Sequence, residues 1–419
     1  MNTKNERSRY YPTAFALYVT YFVLGIAASI MGQYKQNFAA LWGAEKLADG
    51  TYDVASVVAV IAAIGLGRLI AFPIAGPLSD KLGRRLSALI GCVLYAIFLL
   101  SITFTGNMYV GYALAIVSGM ANSFLDTSIT PSCMEIFKEK GTIANMFTKL
   151  SISIAQFLLP FAISFVAVRN MPFNVIFIAT AAIIIVDGIF LAFLPFPPME
   201  NATKEKGEKI KKEKMKFTPS AIILICLGFT SSTTFMLWMN CNQELGTLYG
   251  LADPSKIQSV YSVGIVCALF INAAIMAKGV KPIHILLVYP CMAALTLGAT
   301  YFIQTSWMCM LAGFLIGFFA AGGVLQIVTA VANEMFPKNR GVITSIVMIA
   351  SSVANYAVLN VASLLTKMGG IEGPRYVVLF NIAVTLVGIV LAFILSKRFD
   401  KDAEPQNKAC AGKMQTVNQ

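Results

Sequence analysis

Twelve runs of about 20 mostly apolar residues occupy most of this chain: 12–36, 54–78, 86–104, 109–134, 143–168, 172–195, 218–243, 257–277, 283–304, 307–333, 341–366 and 375–396. Lipid offers no partner to a backbone N–H or C=O. A run of that length in a bilayer must therefore satisfy its hydrogen bonds internally, as a helix. Composition points the same way, with 57% hydrophobic and 12% charged residues, where a soluble domain is about a quarter charged. The pattern predicts an all-α membrane protein of twelve transmembrane helices, and it excludes a soluble globular fold.

The net charge of +12 does not mark a nucleic-acid partner, because the basic residues form no stripe interleaved with aromatics on one helix face. They sit between the spans. With the N-terminus inside, 24 of the 32 Lys and Arg residues fall on the inner side, six on the outer side and two, Arg68 and Lys149, within spans. The positive-inside rule then places both termini in the cytoplasm of a multi-pass plasma-membrane protein. Residues 1–10 are polar and the first apolar run is long enough to span, so that run reads as an uncleaved signal-anchor. Eight scattered cysteines and the single His284 show neither CxxC nor Cys/His ligand spacing, which predicts no metal site, no cofactor and no Cys–His nucleophile.

The stretch 199–217 is the one long polar interruption, rich in Lys and Glu. It reads as a solvated linker between a six-helix bundle at 1–198 and another at 218–396, with a cytoplasmic tail at 397–419. An internal echo supports two parallel repeats. Glu135-Ile-Phe-Lys-Glu-Lys-Gly141 joins spans four and five, and Glu334-Met-Phe-Pro-Lys-Asn-Arg-Gly341 joins spans ten and eleven.

Between spans two and three stands Gly76-Pro-Leu-Ser-Asp80-Lys-Leu-Gly83-Arg84-Arg85. It resembles the signature loop of the major facilitator superfamily at every defining position. The resemblance implies a solute carrier with two six-helix halves, in which this loop latches the outward-open state. The residues suit that role: Gly76 for close helix approach, Asp80 to accept N–H bonds at the start of span eleven, Gly83 for the turn, and Arg84 or Arg85 to reach Glu135. The second half has lost the motif near Lys278-Gly-Val-Lys281.

An ionisable residue at membrane depth is costly and therefore a functional candidate. Arg68, Asp126, Lys149 and Asp187 lie at similar depth in spans two, four, five and six, and are expected to form one layer of the first half. Asp126 is the candidate proton-coupling carboxylate, and Arg68 and Lys149 the candidate solute-binding cations; structural pairing is the competing reading. The sequence Gly119-Met-Ala-Asn122-Ser-Phe-Leu-Asp126-Thr weakly resembles the fucose-permease-like branch of the superfamily. That branch's first-helix carboxylate has no match, since Gly32 stands at the corresponding position. The second half offers amides instead. Asn240 and Gln243 in span seven and Gln326 in span ten are candidate solute-binding residues, and Asn355 and Asn360 lie in span eleven.

These features predict a monomeric secondary transporter that moves a small polar or anionic organic solute by alternating access, coupled to protons, and is not an enzyme. A proton-driven multidrug exporter and a transport-deficient membrane sensor of the same fold are the competing expectations.

Overall fold

In a computed structural model the described residues, 8–47, 50–137, 141–197, 218–280, 282–335 and 340–415, are almost wholly helical. The linker 199–217 and Lys138, Lys140, Lys281 and Lys338 lie outside them, as do the side chains of Glu334, Arg340 and the tail beyond 398. The helices are α1 (Tyr11–Gln33), α2 (Ala55–Leu82), α3 (Arg84–Ser101), α4 (Met108–Phe137), α5 (Gly141–Val168), α6 (Asn174–Phe193), α7 (Pro219–Leu248), α8 (Lys256–Ala277) and α9 (Pro282–Phe302). Next come α10 (Ser306–Ile316, then a π turn Gly317–Ala321, then Val324–Met335), α11 (Arg340–Gly369) and α12 (Gly373–Gln415). Eleven helical stretches are long and apolar enough to cross a membrane. The last of them, Ile343–Arg398, spans 56 residues and contains both α11 and α12. Gly370 turns the chain between them in the left-handed region, at φ +53. With that turn as a boundary the described residues hold twelve long helices, and the face at which α1 begins is called here the terminal face.

The pairing of helices repeats. In the first half α1 packs on α5, α2 on α4 and α3 on α6; in the second, α7 packs on α11, α8 on α10 and α9 on α12. The tightest crossings share a register. A Cβ on Gly67 would lie 2.1 Å from the Ile116 carbonyl oxygen, and one on Gly119 2.0 Å from that of Ile64. In the second half Gly264 and Gly317 stand in the same relation to Phe314 and Tyr261, at 2.2 and 2.1 Å. Gly264 follows Gly67 by 197 residues and Gly317 follows Gly119 by 198. Without a solvent-driven hydrophobic force between helices, backbone approach at small residues is what holds such crossings together.

The halves meet along α2 against α11 and α5 against α8. The first half has one continuous apolar core that crosses this seam to include Leu237, Leu359 and Val377. The second half is split. One cluster holds Leu224, Val328 and Leu395 toward the terminal face, and another holds Trp238, Tyr261 and Ile316 toward the opposite face. The break in α10 lies between them. A helix interrupted at membrane depth must have its freed carbonyls satisfied by neighbours. Asn272 does this, donating to the Gly322 carbonyl at 2.8 Å while its own oxygen accepts from Tyr289.

Gly76 does not serve close helix approach. No atom lies within 4 Å of where its Cβ would be, because it faces away from the neighbouring helices; Gly65 and Gly67 make the close contacts of α2.

Candidate functional site

The side chains of greatest interest converge on α4. Asp126 accepts a hydrogen bond from Tyr21 of α1 at 3.0 Å on Oδ1, and its Oδ2 lies 3.5 Å from Arg68 Nη2 of α2. The Tyr21 hydroxyl also stands 3.0 Å from Thr130 Oγ1. Arg68 lies over the Phe72 ring, and its carbonyl accepts from Ser123 at 3.2 Å. The pair is partly exposed, with side chains 12% and 27% exposed for Arg68 and Asp126. Lys149 of α5 is half-buried and within electrostatic reach of both. Three helices thus bring two cations and one carboxylate together, as the shared depth of these residues predicts.

Asp187 does not join them. It accepts from Thr20 Oγ1 at 2.6 Å and is buried between α1, α3 and α6, beside Cys92. Thr20 and Tyr21 are neighbours in α1, about 100° apart around it, so the two carboxylates sit at one depth on different flanks of that helix. Depth alone could not separate them; helical phase does. The expected four-charge layer is a three-charge cluster, plus one carboxylate held apart by a hydroxyl.

The signature loop is organised around Arg84. Gly83 takes φ +100 and caps α2 through its N–H to the Ser79 carbonyl. Arg84 Nη1 donates to Asp80 Oδ1 at 2.8 Å and to Ser79 Oγ at 3.1 Å, and Nη2 lies 3.6 Å from Glu135 Oε1. Arg85 turns away, donating to the Leu194 carbonyl at 2.6 Å and stacking over Phe196. The expected contact of Asp80 with the start of α11 falls on residues 340–342, whose side chains lie outside the described ones.

The amides of α7 belong to the seam. Gln243 Nε2 donates to Gln33 Oε1 at 2.6 Å, and Lys35 Nζ reaches both the Asn240 carbonyl and Glu244 Oε2, the latter at 2.5 Å. Lys35 is 2% exposed and Glu244 17%. The Asn240 amide donates to Met236 in its own helix at 2.9 Å. Asn242 faces away from the seam, toward Trp238 and Asn381. Gln326 Oε1 and Asn355 Oδ1 are buried without a partner, and Asn360 donates to the Tyr356 carbonyl. Charge placement alone puts Lys35 on the outer side; the signal for its partner is that Lys35 and Glu244, of opposite sign, lie close to the ends of the corresponding apolar runs 12–36 and 218–243.

Cross-half hydrogen bonds cluster toward the face opposite the termini. Beside the Lys35 and Gln33 contacts, Ser363 donates to the Ala55 carbonyl at 2.6 Å, Tyr112 to the Tyr356 hydroxyl at 3.2 Å, and Ser259 to the Phe157 carbonyl at 2.9 Å. Among the described residues the molecule is sealed on that side.

Comparisons with known proteins agree with this architecture. The family model described as Major Facilitator Superfamily matches residues 11–278 and 220–416. The chain is 29% identical to the uncharacterized MFS-type transporter YfkL of Bacillus subtilis (strain 168), covering 93% of this chain and 97% of that one. It is 30% identical to the inner membrane transport protein YdiM of Escherichia coli (strain K12), covering 94% and 96%. A crystal structure of the D-xylose-proton symporter superposes with TM-score 0.71 at 14% identity, covering 91% of this chain and 96% of that one. Its sequence, its repeated helix pairing and its relatives make this chain a member of the major facilitator superfamily, a multi-pass membrane transporter.

Proposed function

We propose that this protein is a proton-coupled secondary transporter of the plasma membrane that moves a small polar or anionic organic solute by alternating access. The observation that carries this reading is the cluster of Arg68, Asp126 and Lys149, tied to Tyr21 in the first half. A carboxylate paired with a cation at membrane depth, yet partly exposed, has the makings of a titratable coupling group. Lys and Arg placement supports cytoplasmic termini; on that reading the seal formed by Lys35, Glu244, Gln33 and Gln243 faces outward, and the solute path between the halves, the cleft, opens inward. The D-xylose-proton symporter and the inner membrane location of YdiM are consistent with this reading. The solute site lies in the cleft, with the cations of the first half on one wall and Gln326 on the other. The Arg84, Asp80 and Glu135 cluster, together with Gly76, Gly83 and Arg85, is the inner latch of the opposite state, closing when Lys35 and Glu244 part. Asn240 and Gln243, engaged in the seal here, become available to solute when it opens. A surplus of fixed positive charge disfavours the apolar cations that a multidrug exporter carries.

Solute uptake into proteoliposomes under an imposed inward proton gradient tests this. Wild type accumulates solute against its gradient, whereas Asp126→Asn equilibrates solute without accumulating it. Accumulation by Asp126→Asn equal to wild type would remove Asp126 from coupling.

A further inference from the structure

The chemistry of the cleft narrows the solute further, given that the cleft is where it binds. Around Asp126 the cations outnumber the carboxylates. Arg68 and Lys149 share one carboxylate because Asp187 is held by Thr20 on another flank of α1. Arg68 commits only Nη2 to Asp126, at 3.5 Å, a loose pairing, and its Nε is buried without a partner. No carboxylate among the described residues lies within 4.0 Å of Lys149. A buried N–H on a charged group that lacks an acceptor is expensive to maintain, and a guanidinium edge is shaped for a carboxylate.

The facing half has the complementary deficit. Asn355 of α11 packs against Gly65 of α2, its Cβ 3.1 Å from where a Gly65 Cβ would stand, one helical turn from Arg68. Asn355 is 5% exposed, and its Oδ1 accepts from nothing. Gln326, just beyond the break in α10, has a buried Oε1 in the same condition. A carbonyl oxygen without a donor cannot be satisfied by a carboxylate, which only accepts. A hydroxyl both donates to the oxygen and accepts from the amide N–H.

We infer that the transported solute is a hydroxylated monocarboxylate, with its carboxylate held by Arg68 and Lys149 and a hydroxyl recognised by Asn355 and Gln326. This rests on the transport reading above. One surplus cation matches one carboxylate. A dicarboxylate would leave a net negative charge in the cleft, an organic cation would enlarge the surplus, and an unsubstituted acid would leave both amide oxygens uncovered.

The test is uptake into proteoliposomes of the full chain, offered glycerate, lactate and gluconate alongside hexanoate, succinate, glucose and tetraphenylphosphonium. A hydroxy acid is expected to be preferred over hexanoate by at least about 10-fold in kcat/KM, since a site built for a hydroxyl discriminates strongly against the analogue lacking it. Asn355→Ala should bring that ratio toward one by lowering hydroxy-acid flux several-fold more than hexanoate flux, a selectivity change that a packing defect, which lowers both alike, would not produce. Arg68→Gln should lower the flux of every carboxylate. Preference for succinate or glucose, or hexanoate flux equal to that of the hydroxy acids, overturns the solute class and leaves the transport reading standing; preference for the cation overturns both. No flux of any probe overturns both.

Discussion

The two halves of this protein share a backbone and differ in chemistry. The glycine crossings of α2 on α4 and α8 on α10 keep one register, which allows positions to be matched directly. By that register Arg68 corresponds to Ile265 and Asp126 to Val324. Val324 is buried at the break in α10, where the first half has an unbroken helix. The first half therefore concentrates charge on a continuous core, and the second splits its core and leaves amides and hydroxyls at the same depth. Helix packing tolerates this divergence because the glycines, and not the polar side chains, set the crossing distance.

The comparison is broken most severely at those glycines. A Cβ on Gly119 or Gly317 would stand about 2 Å from a backbone carbonyl, a clash that side-chain rotation cannot relieve. Gly119→Val and Gly317→Val should both abolish the folded peak in size-exclusion chromatography of detergent-solubilised protein, since even ordinary overpacking costs about 1–3 kcal/mol. A well-folded variant of either would show that the crossings are not the shared scaffold.

Charge comes next in size. The double substitution Arg68→Ile with Asp126→Val gives the first half the residues of the second. Replacing an ion pair by apolar residues of fitting volume is often neutral for stability, whereas removing one partner from a buried pair costs about 3–5 kcal/mol; the partial exposure of this pair lowers that figure. The double variant should retain its thermal stability and lose uptake. Asp126→Val alone should lose both, as measured by melting in detergent and flux in vesicles.

How much of this was legible before the structure differs by level. Twelve spans and the signature loop follow from lipid's demand on backbone polar groups and from the spacing of Gly76, Asp80, Gly83 and Arg84, and helix ends fall within a few residues of the apolar runs except where α2, α7 and α12 run on into polar sequence. The convergence of Arg68, Asp126 and Lys149 was legible as shared depth. The separation of Asp187 was not, because it depends on which side of α1 each neighbour occupies. The burial of Lys35 was not legible, because burial at a seam is a property of two halves meeting, which one apolar run cannot express. The π turn at Gly317–Ala321 likewise needs the Asn272 carboxamide, far off in sequence, to make it tenable.

Across the seam, Lys35→Met should weaken the outer seal. The contact joins Lys35 to Glu244 and the Asn240 carbonyl, and a hydrogen bond to a charged group contributes about 1.5–3 kcal/mol. Opening should then be favoured by roughly 10-fold or more. Cys241, which lies next to this contact, should react faster with a membrane-impermeant thiol reagent applied from outside. Glu244→Gln should do the same to a lesser degree, since the glutamine still accepts from Lys35. An unchanged rate in Lys35→Met would mean that the seal is held by the other cross-half contacts, without need of this ion pair.

The finest comparison is between two hydroxyl contacts on matching seams. In the first half Thr20 of α1 donates to Asp187 of α6 at 2.6 Å; in the second, Thr234 of α7 lies 2.9 Å from the Thr385 hydroxyl of α12. Both pairs are buried and both join the first helix of a half to its last. They differ in the charge of the acceptor. Thr20→Val leaves a buried carboxylate without that donor, and hydrogen bonds to charged groups contribute about 1.5–3 kcal/mol, against about 0.5–1.5 for neutral ones. Thr234→Val leaves only a neutral hydroxyl, and Thr385 retains its bond to the Asn381 carbonyl at 2.7 Å. Thermal melting in detergent should therefore drop measurably for Thr20→Val and only slightly for Thr234→Val. Adding Asp187→Asn to Thr20→Val should recover part of the loss, because it removes the stranded charge, whereas Thr385→Val should add almost nothing to Thr234→Val. Equal losses in the two halves would mean that the first half's carboxylate is already neutral in the folded protein, and its charge would then drop out of the comparison.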